Sequence, residues 1–428
     1  MVSTLTSFSA LFLANLTLLT GLGLLGTFLS LRLTIEGYAP QTTGLVMGSY
    51  FFGLIIGSYV CQRLIRRVGH IRSFAAFAAV TTSVVMLHGL YLSAFAWAVF
   101  RMLTGLAALG LTMVIESWLN ECTEPGARGR VFSIYLVTTY LGITIGQQLI
   151  NVADITSDTI LFLAGILLAL SLVPVAVTHS ISPRLPTLGR VYFGELFRRA
   201  PVGMLGCLTA GLTNGAFYAL GPVFALKIDL TISQVAWLMT FTIFGGLILQ
   251  WPVGLISDRF DRTNVLAILG ILLAGVSIGI IVIAPVSYSG FMAAMGLFGG
   301  LIFTIYPVAV ARAHDLFEPH EIMPVSAGLL LAFSIGATIG PLAVSSAMAV
   351  TNNPYGFFGY YVLIGGTYGL ITFYLRRKEK VTIIPVGEQV DFVPMKDTSA
   401  IAVMIDPRTP IEASGAAFEG QDPPIKGG

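Results

Sequence analysis

Two charged residues, Arg101 and Glu116, lie on one otherwise apolar stretch of the chain and are the first candidates for chemistry. At about 100° per residue, a helix through that stretch brings Arg101, Gly105, Ala108, Thr112 and Glu116 within about 80° of one another. The two charges then stand about 22 Å apart along the shared face, too far to pair directly. A guanidinium surrounded by hydrocarbon costs several kcal/mol, so it needs a partner, water or a function. The structural alternatives for Arg101 are a neighbouring helix or a reach toward the surface. Gly105 and Ala108 are small enough to let another helix approach that face closely.

Other polar residues sit in apolar runs: Asn15, Tyr50, Tyr135, Tyr140, Gln147, Gln148, Asn214, Tyr218, Gln250 and Tyr306. Individually, such residues more often bond a neighbouring helix than a ligand. Asn214 and Tyr218 are four apart and share a helix face, which makes them the best pair. Tyr50 and Gln147 join Arg101, Asn214, Tyr218 and Glu116 as candidates for a substrate or proton pathway. His88 titrates near neutrality in water, yet a lone histidine on an apolar face is more often structural. Glu36 and Asp229 read as exposed loop charges. Cys61, Cys122 and Cys207 have neither disulfide nor metal spacing and read as free thiols. There is no metal cluster, no nucleophile–base set and no phosphate loop, so neither an enzyme nor a cofactor or metal is expected.

The composition says what must position these residues. Of 428 residues, 55% are hydrophobic and only 10% charged. Soluble domains carry about 25% charged residues, so this chain belongs in a membrane. A net charge of +2 gives no case for a nucleic-acid partner. Apolar runs of spanning length fall at about 9–34, 42–62, 73–93, 95–118, 130–151, 159–179, 202–226, 233–254, 264–284, 287–311, 324–350 and 355–375. The expectation is an all-α integral membrane protein of twelve transmembrane helices in two six-helix repeats. The divisions are a first bundle over 1–179, a linker over 180–201, a second bundle over 202–376 and a tail over 377–428. The linker segment Gly189–Arg199 mixes apolar residues with arginines and could be a surface helix or a solvated stretch. The tail is rich in Pro, Gly, Asp and Glu and is expected to be disordered, although the patch Val381–Val386 could be ordered against the body.

Alternate loops carry the basic residues. One set holds Arg63, Arg66, Arg67, Arg72, Arg128, Arg130, Arg184, Arg190, Arg198, Arg199, Arg259, Arg262, Arg312, Arg376, Arg377, Lys378 and Lys380, while the other holds only Arg32 and Lys227. The positive-inside rule then places both termini in the cytoplasm, for a multi-pass protein of the inner membrane.

The halves repeat. Tyr140-Leu-Gly142-Ile-Thr144-Ile-Gly146 matches Ser334-Ile-Gly336-Ala-Thr338-Ile-Gly340 at an offset of 194, and Glu124-Pro125 maps onto Glu318-Pro319 at the same offset. Parallel six-helix repeats mark one large transporter class, with the substrate site between them near the membrane midplane.

The loop after the eighth span reads Gly254-Leu-Ile-Ser-Asp258-Arg259-Phe-Asp261-Arg262. It resembles the G-x-L-a-D-r-x-G-r motif of the major facilitator superfamily, with Asp261 in place of the second glycine. The equivalent loop of the first half, Gln62-Arg63-Leu64-Ile65-Arg66-Arg67-Val68-Gly69-His70, is degenerate. The stretch Arg101-Met-Leu-Thr104-Gly105 resembles the family's arginine motif on the fourth helix, with Thr104 for the usual glutamine. The matching place in the second half lies near Met292, ahead of Gly296, and carries no charge. The region from Glu116-Ser-Trp118 to Gly146-Gln147 is similar to the YcaD-like group of bacterial facilitators. Helix 5 departs from the antiporter signature, because Gln147 stands where proline follows Gly146. Helix 11 carries Gly336, Gly340 and Pro341, which with Gly142, Gly146 and Gly105 read as helix packing.

The resemblance implies a secondary transporter of a small organic solute that works by alternating access. Arg101 would bind an anionic group or modulate a proton site, with protons as a candidate coupling ion. Gly254, Asp258, Arg259 and Arg262, with Arg66 and Arg67, would form the cytoplasmic gate, since an arginine–carboxylate pair can lock two helix ends together. Arg66 would find its partner in Glu116. The expected partners are the solute and the lipid bilayer, with the protein a monomer. The alternative is a non-transporting sensor or receptor that signals through its tail.

Overall fold

The computed structural model describes residues 2–121, 123, 127–177, 193–378, 384–390 and 392–396. Cys122, the Glu124-Pro125 pair, most of the linker and the end of the tail lie outside the described residues. Six helices come first: α1 (Val2–Ile35), α2 (Pro40–Val68), α3 (His70–Leu90), α4 (Ala94–Glu121), α5 (Arg128–Gln148) and α6 (Thr159–Leu170), the last continued by α7 (Leu172–Val177). After the short α8 (Phe193–Arg199) come α9 (Pro201–Lys227), α10 (Ile232–Arg259), α11 (Arg262–Ile283), α12 (Tyr288–His314), α13 (Ile322–Thr351) and α14 (Gly356–Arg377). No strand occurs among the described residues.

Local chemistry sets several of these boundaries. Gly69 alone joins α2 to α3, and its φ of 87° lies in the left-handed region that glycine enters without strain. Thr231 opens α10 with a capping box: its hydroxyl accepts from the Gln234 amide at 3.3 Å, while Gln234 Oε1 accepts from the Thr231 amide at 2.9 Å. Among the described residues, ten spans are long and apolar enough to cross a membrane on composition alone; α5 and α9 fall outside that set. At 1.5 Å per residue α5 still reaches about 31 Å, the thickness of a bilayer core. Both pack at the centre, where α9 buries most of its length against protein, so their faces need not be uniformly apolar.

The repeat is visible in the packing. In the first half α1 pairs with α5, α2 with α4 and α3 with α6; in the second, α9 pairs with α13, α10 with α12 and α11 with α14. Backbone-to-backbone approach fixes the register of each pair. A Cβ on Gly105 would stand 2.0 Å from the Tyr50 carbonyl oxygen, and one on Gly299 would stand 1.9 Å from that of Thr242. Gly299, rather than Gly296, is therefore the counterpart of Gly105. That moves the counterpart of Arg101 from the neighbourhood of Met292 to the buried, uncharged Met295. Gly142 and Gly146 meet the carbonyls of Leu16 and Thr20 on α1, and Gly336 and Gly340 meet those of Leu208 and Leu212 on α9.

Overpacking a close helix crossing costs about 1–3 kcal/mol or more, because backbone cannot yield as a side chain can. Gly105→Val and Gly299→Val are each expected to lower the apparent melting temperature in detergent. Gly275→Ala, whose added methyl meets nothing within 4 Å, is expected to leave it unchanged.

Candidate functional site

The two halves meet along three seams on the face opposite the basic loops. Ser30 of α1 donates to the Ala219 carbonyl of α9 at 2.8 Å. Gln148 of α5 donates to Thr240 Oγ1 at 2.7 Å and to the Ala236 carbonyl at 3.3 Å, both on α10. On α2, Gly44 and Gly48 lie so close to α13 that an added Cβ would stand 2.6 Å from the Pro341 oxygen and 2.9 Å from that of Thr338. That face is closed. Nearer the middle, Gln250 of α10 donates to Tyr140 Oη of α5 at 2.6 Å.

A cavity of about 1000 Å3, part of it continuous with solvent, lies beneath these seams. Residues from α1, α2, α4, α5 and α9 line it, and most of them are apolar: Leu19, Leu22, Met47, Phe51, Leu54, Leu109 and Ile143 among others. The polar groups are Arg101, Tyr50, Thr27, Thr112, Gln147, Tyr218 and Lys396. Four of the six expected pathway residues, Arg101, Tyr50, Gln147 and Tyr218, are thus together. Asn214 and Glu116 are not. Asn214 is buried in the packing of α9, one turn from Tyr218 but outside the lining. Glu116 lies toward the basic end of α4 with no exposed surface, and its carboxylate accepts from Tyr135 Oη at 2.6 Å. The stripe on α4 divides: Arg101, Ala108 and Thr112 face the cavity, Gly105 lies on the backbone of α2, and Glu116 meets α5.

Arg101 is 5% exposed. The Gly105 contact holds α4 against α2 at Tyr50, and so sets the Arg101 guanidinium 4.6 Å from the centre of the Tyr50 ring. Its Nε has no hydrogen-bond partner, and among the described residues no carboxylate stands within ion-pair distance. Gln147 accepts from Thr27 Oγ1 at 2.5 Å and donates to the Gly23 carbonyl at 3.4 Å, which ties α5 to α1 where the antiporter pattern has a proline. His88 is structural in its surroundings. Its Nδ1 is 2.8 Å from the Val84 carbonyl, and Trp97 and Phe100 pack edge-on against its ring.

The loop between α10 and α11 forms the second centre. Phe260 and Asp261 turn the chain sharply, so Arg262 points back under α10 while Arg259 stays exposed. Arg262, with no exposed side-chain surface, pairs with Asp258 at 2.7 Å and with Asp315 at 2.5 Å, and donates to Ser257 Oγ at 3.2 Å. Burial pushes the Asp315 carboxyl above the usual carboxylate range, against the pull of Arg262. Asp261, the departure from the glycine pattern, caps α11 by accepting from the Thr263 amide at 2.9 Å and pairs with Arg376 of α14 at 2.6 Å. Of the expected gate residues, Gly254, Asp258 and Arg262 come together; Arg259 does not, and Arg66 and Arg67 are exposed at the end of α2.

Part of the tail is seated here, where composition leads one to expect disorder. Val390 donates its amide to Asp315 Oδ1 at 3.0 Å, and Phe392 donates its amide to Asp258 Oδ1 at 2.8 Å. Arg262 Nη2 donates to the Val390 carbonyl. Sequence reasoning missed Asp315, Thr27 and Lys396. Thr27 sits on the first span and Asp315 just past the end of α12, and only their neighbours across the bundle distinguish them from ordinary polar residues.

The family model described as Major Facilitator Superfamily matches this chain over residues 11–304 and again over 203–408. The chain belongs to the major facilitator superfamily. It is a multi-pass membrane protein of a transporter family. The facilitator is 28% identical over 344 residues to the uncharacterized MFS-type transporter YcaD of Escherichia coli O45:K1, covering 79% of this chain and 88% of that one. The corresponding protein of Escherichia coli K12 is 27% identical over the same shares. Among solved structures, the nucleoside transporter NupG superposes with a TM-score of 0.71 at 12% identity, covering 87% of this chain and 99% of that one. A bacterial homologue of the human lysosomal transporter Spinster, in an inward-facing and occupied conformation, gives 0.67 at 14% identity over 91% and 99%. A D-xylose–proton symporter gives 0.64 at 14% over 87% and 97%. At these identities the structures establish the shared fold.

Proposed function

We propose that this facilitator is a secondary transporter that carries a small organic solute with one acidic group on an apolar body. Its two halves would rock around the central cavity. The observation that carries this reading is Arg101: a buried cation in an apolar cavity, stacked on Tyr50 and lacking any described carboxylate partner. A carboxylate entering the cavity would satisfy the guanidinium in bidentate geometry while the apolar walls take its body. With the basic loops placed in the cytoplasm, the closed seams lie outside and the cavity opens inward. Glu116 is the candidate proton carrier, poised on the cytoplasmic side of the cavity beside Tyr135.

A thermal-shift screen of purified protein against metabolites tests the solute class, because a ligand of the native state raises stability by mass action. Monocarboxylates with apolar bodies are expected to raise the melting temperature. Stabilisation confined to cations or to neutral sugars sinks the reading. A non-transporting sensor is the second reading, favoured by the seating of Val390 and Phe392 at Asp315 and Asp258; it predicts no flux of any stabilising ligand into proteoliposomes.

A further inference from the structure

We propose that residues 384–390 and 392–396 form an autoinhibitory strap that fills the mouth between the two halves on the basic-loop side and holds the opposite face closed. The inference rests on the alternating-access reading and adds a regulator to it.

The strap runs inward from the rim. Ile384 lines the same surface recess as Arg198, Arg199 and Phe317. Val390 is held by Asp315 and Arg262, and the amide of Phe392 by Asp258. The Phe392 ring lies on the bare backbone of α10 at Gly254, where a Cβ would come within 2.2 Å of ring carbon Cδ1. Val393 and Met395 are buried at 8% and 5% exposure, and Lys396 ends inside the cavity with its Nζ 6.0 Å from the centre of the Tyr140 ring. The main chain of one short segment thus bonds to both acidic groups around Arg262, and its side chains continue into the solute cavity.

Closure on this side requires the basic end of α5 to approach the basic end of α10. Phe392 lies against Gly254 and Asp258 at the basic end of α10, and Lys396 reaches Tyr140 in the middle of α5, so the segment stands between the two helices on the path of that approach. Strap and closure are therefore mutually exclusive. Docking free energy of the strap adds directly to the open-mouth state and draws population away from the state closed on this side. Because α14 ends at Arg377, the strap is tethered close to its seat. It competes as an intramolecular ligand, because it belongs to the same chain as the mouth it fills.

The test reads the opposite face and needs no solute. Thr240, whose hydroxyl accepts from Gln148 across the closed seam, is replaced by cysteine in a chain whose Cys61, Cys122 and Cys207 are alanine. Maleimide labelling of Thr240→Cys is then timed in nanodiscs for the full chain, for a chain ending at Lys378, and for the full chain carrying Phe392→Asp. Removing or unseating the strap is expected to raise the labelling rate at least about three-fold in both altered chains. Equal rates in all three overturn the proposal, as does a rise on truncation that Phe392→Asp fails to reproduce, which would place the effect beyond this segment. Gly48→Leu, wedged against the Thr338 carbonyl, serves as the control that opens the seam. If it raises labelling while both strap variants do not, the strap alone fails. If it too leaves the seam closed, alternating access falls and the strap with it.

Discussion

Replacing Arg262 with methionine is expected to destabilise the protein by about 3–5 kcal/mol, the usual cost of stranding one partner of a buried ion pair. Asp315 is the stranded partner. Its side chain is 1% exposed, and Arg262 at 2.5 Å is the strong donor that offsets its burial. Asp258 also loses Arg262, but at 34% exposure water replaces the cation there at small cost. The deficit should therefore follow Asp315. In the wild type burial already pushes that carboxyl upward; without Arg262 it rises further, so the folded form prefers the neutral acid. A raised folded-state pKa gives stability that is present at low pH and lost as pH rises through it. The melting-temperature deficit of Arg262→Met should thus be smaller at about pH 5 than at about pH 8. Adding Asp315→Asn should recover part of it, and Arg259→Met, at an exposed position, should show none. A uniform deficit across pH would remove Asp315 as the cause.

That contrast between Arg259 and Arg262 shows where the sequence stops being informative. The motif supplies two arginines next to Asp258, and spacing alone cannot choose between them. The choice is made by the turn at Phe260 and Asp261, which starts α11 with Arg262 facing inward. The spans themselves are legible because lipid requires apolar length, and a run such as 233–254 lies within the helix Ile232–Arg259. The helix continues past that run, since bilayer thickness limits hydrophobicity and not hydrogen bonding. The two central helices also read less clearly on composition, being surrounded largely by protein rather than by lipid.

The repeat was readable only to within a few residues. Gly296 and Gly299 look alike in sequence, and the carbonyl contact with Thr242 is what identifies Gly299 as the mate of Gly105. The tail shows the opposite error. Its composition lacks the apolar area for a core of its own, which is a sound argument against independent folding. Residues 390 and 392–396 need no core of their own, because the α10–α11 turn and Asp315 offer acidic acceptors and an arginine donor for their main chain, and Gly254 offers a bare surface for Phe392. Long-range complementarity of that kind leaves no local signal.

The largest functional effect is expected at Arg101, and it separates the two readings of that residue by opposite signs. If Arg101 is scaffold, removing it should cost stability; if it is a binding group, removing it should relieve a strain on the empty protein. Magnitudes favour the second. Stacking on Tyr50 contributes about 0.5–2 kcal/mol, whereas holding a guanidinium away from water and from any carboxylate costs several kcal/mol. Arg101→Met keeps the apolar stem and removes the charge, so the ligand-free protein should melt at the wild-type temperature or above it. Binding of the acidic solute found by the screen should weaken by about 2–5 kcal/mol, a loss of at least about thirty-fold, since a buried charge–carboxylate contact disappears. Arg101→Lys should fall between the two, retaining charge without the planar stack and fork. Thermal melts with and without ligand read both quantities in one titration. A methionine variant that melts lower yet binds normally would assign Arg101 to the scaffold, and the solute carboxylate would then need another partner in the cavity.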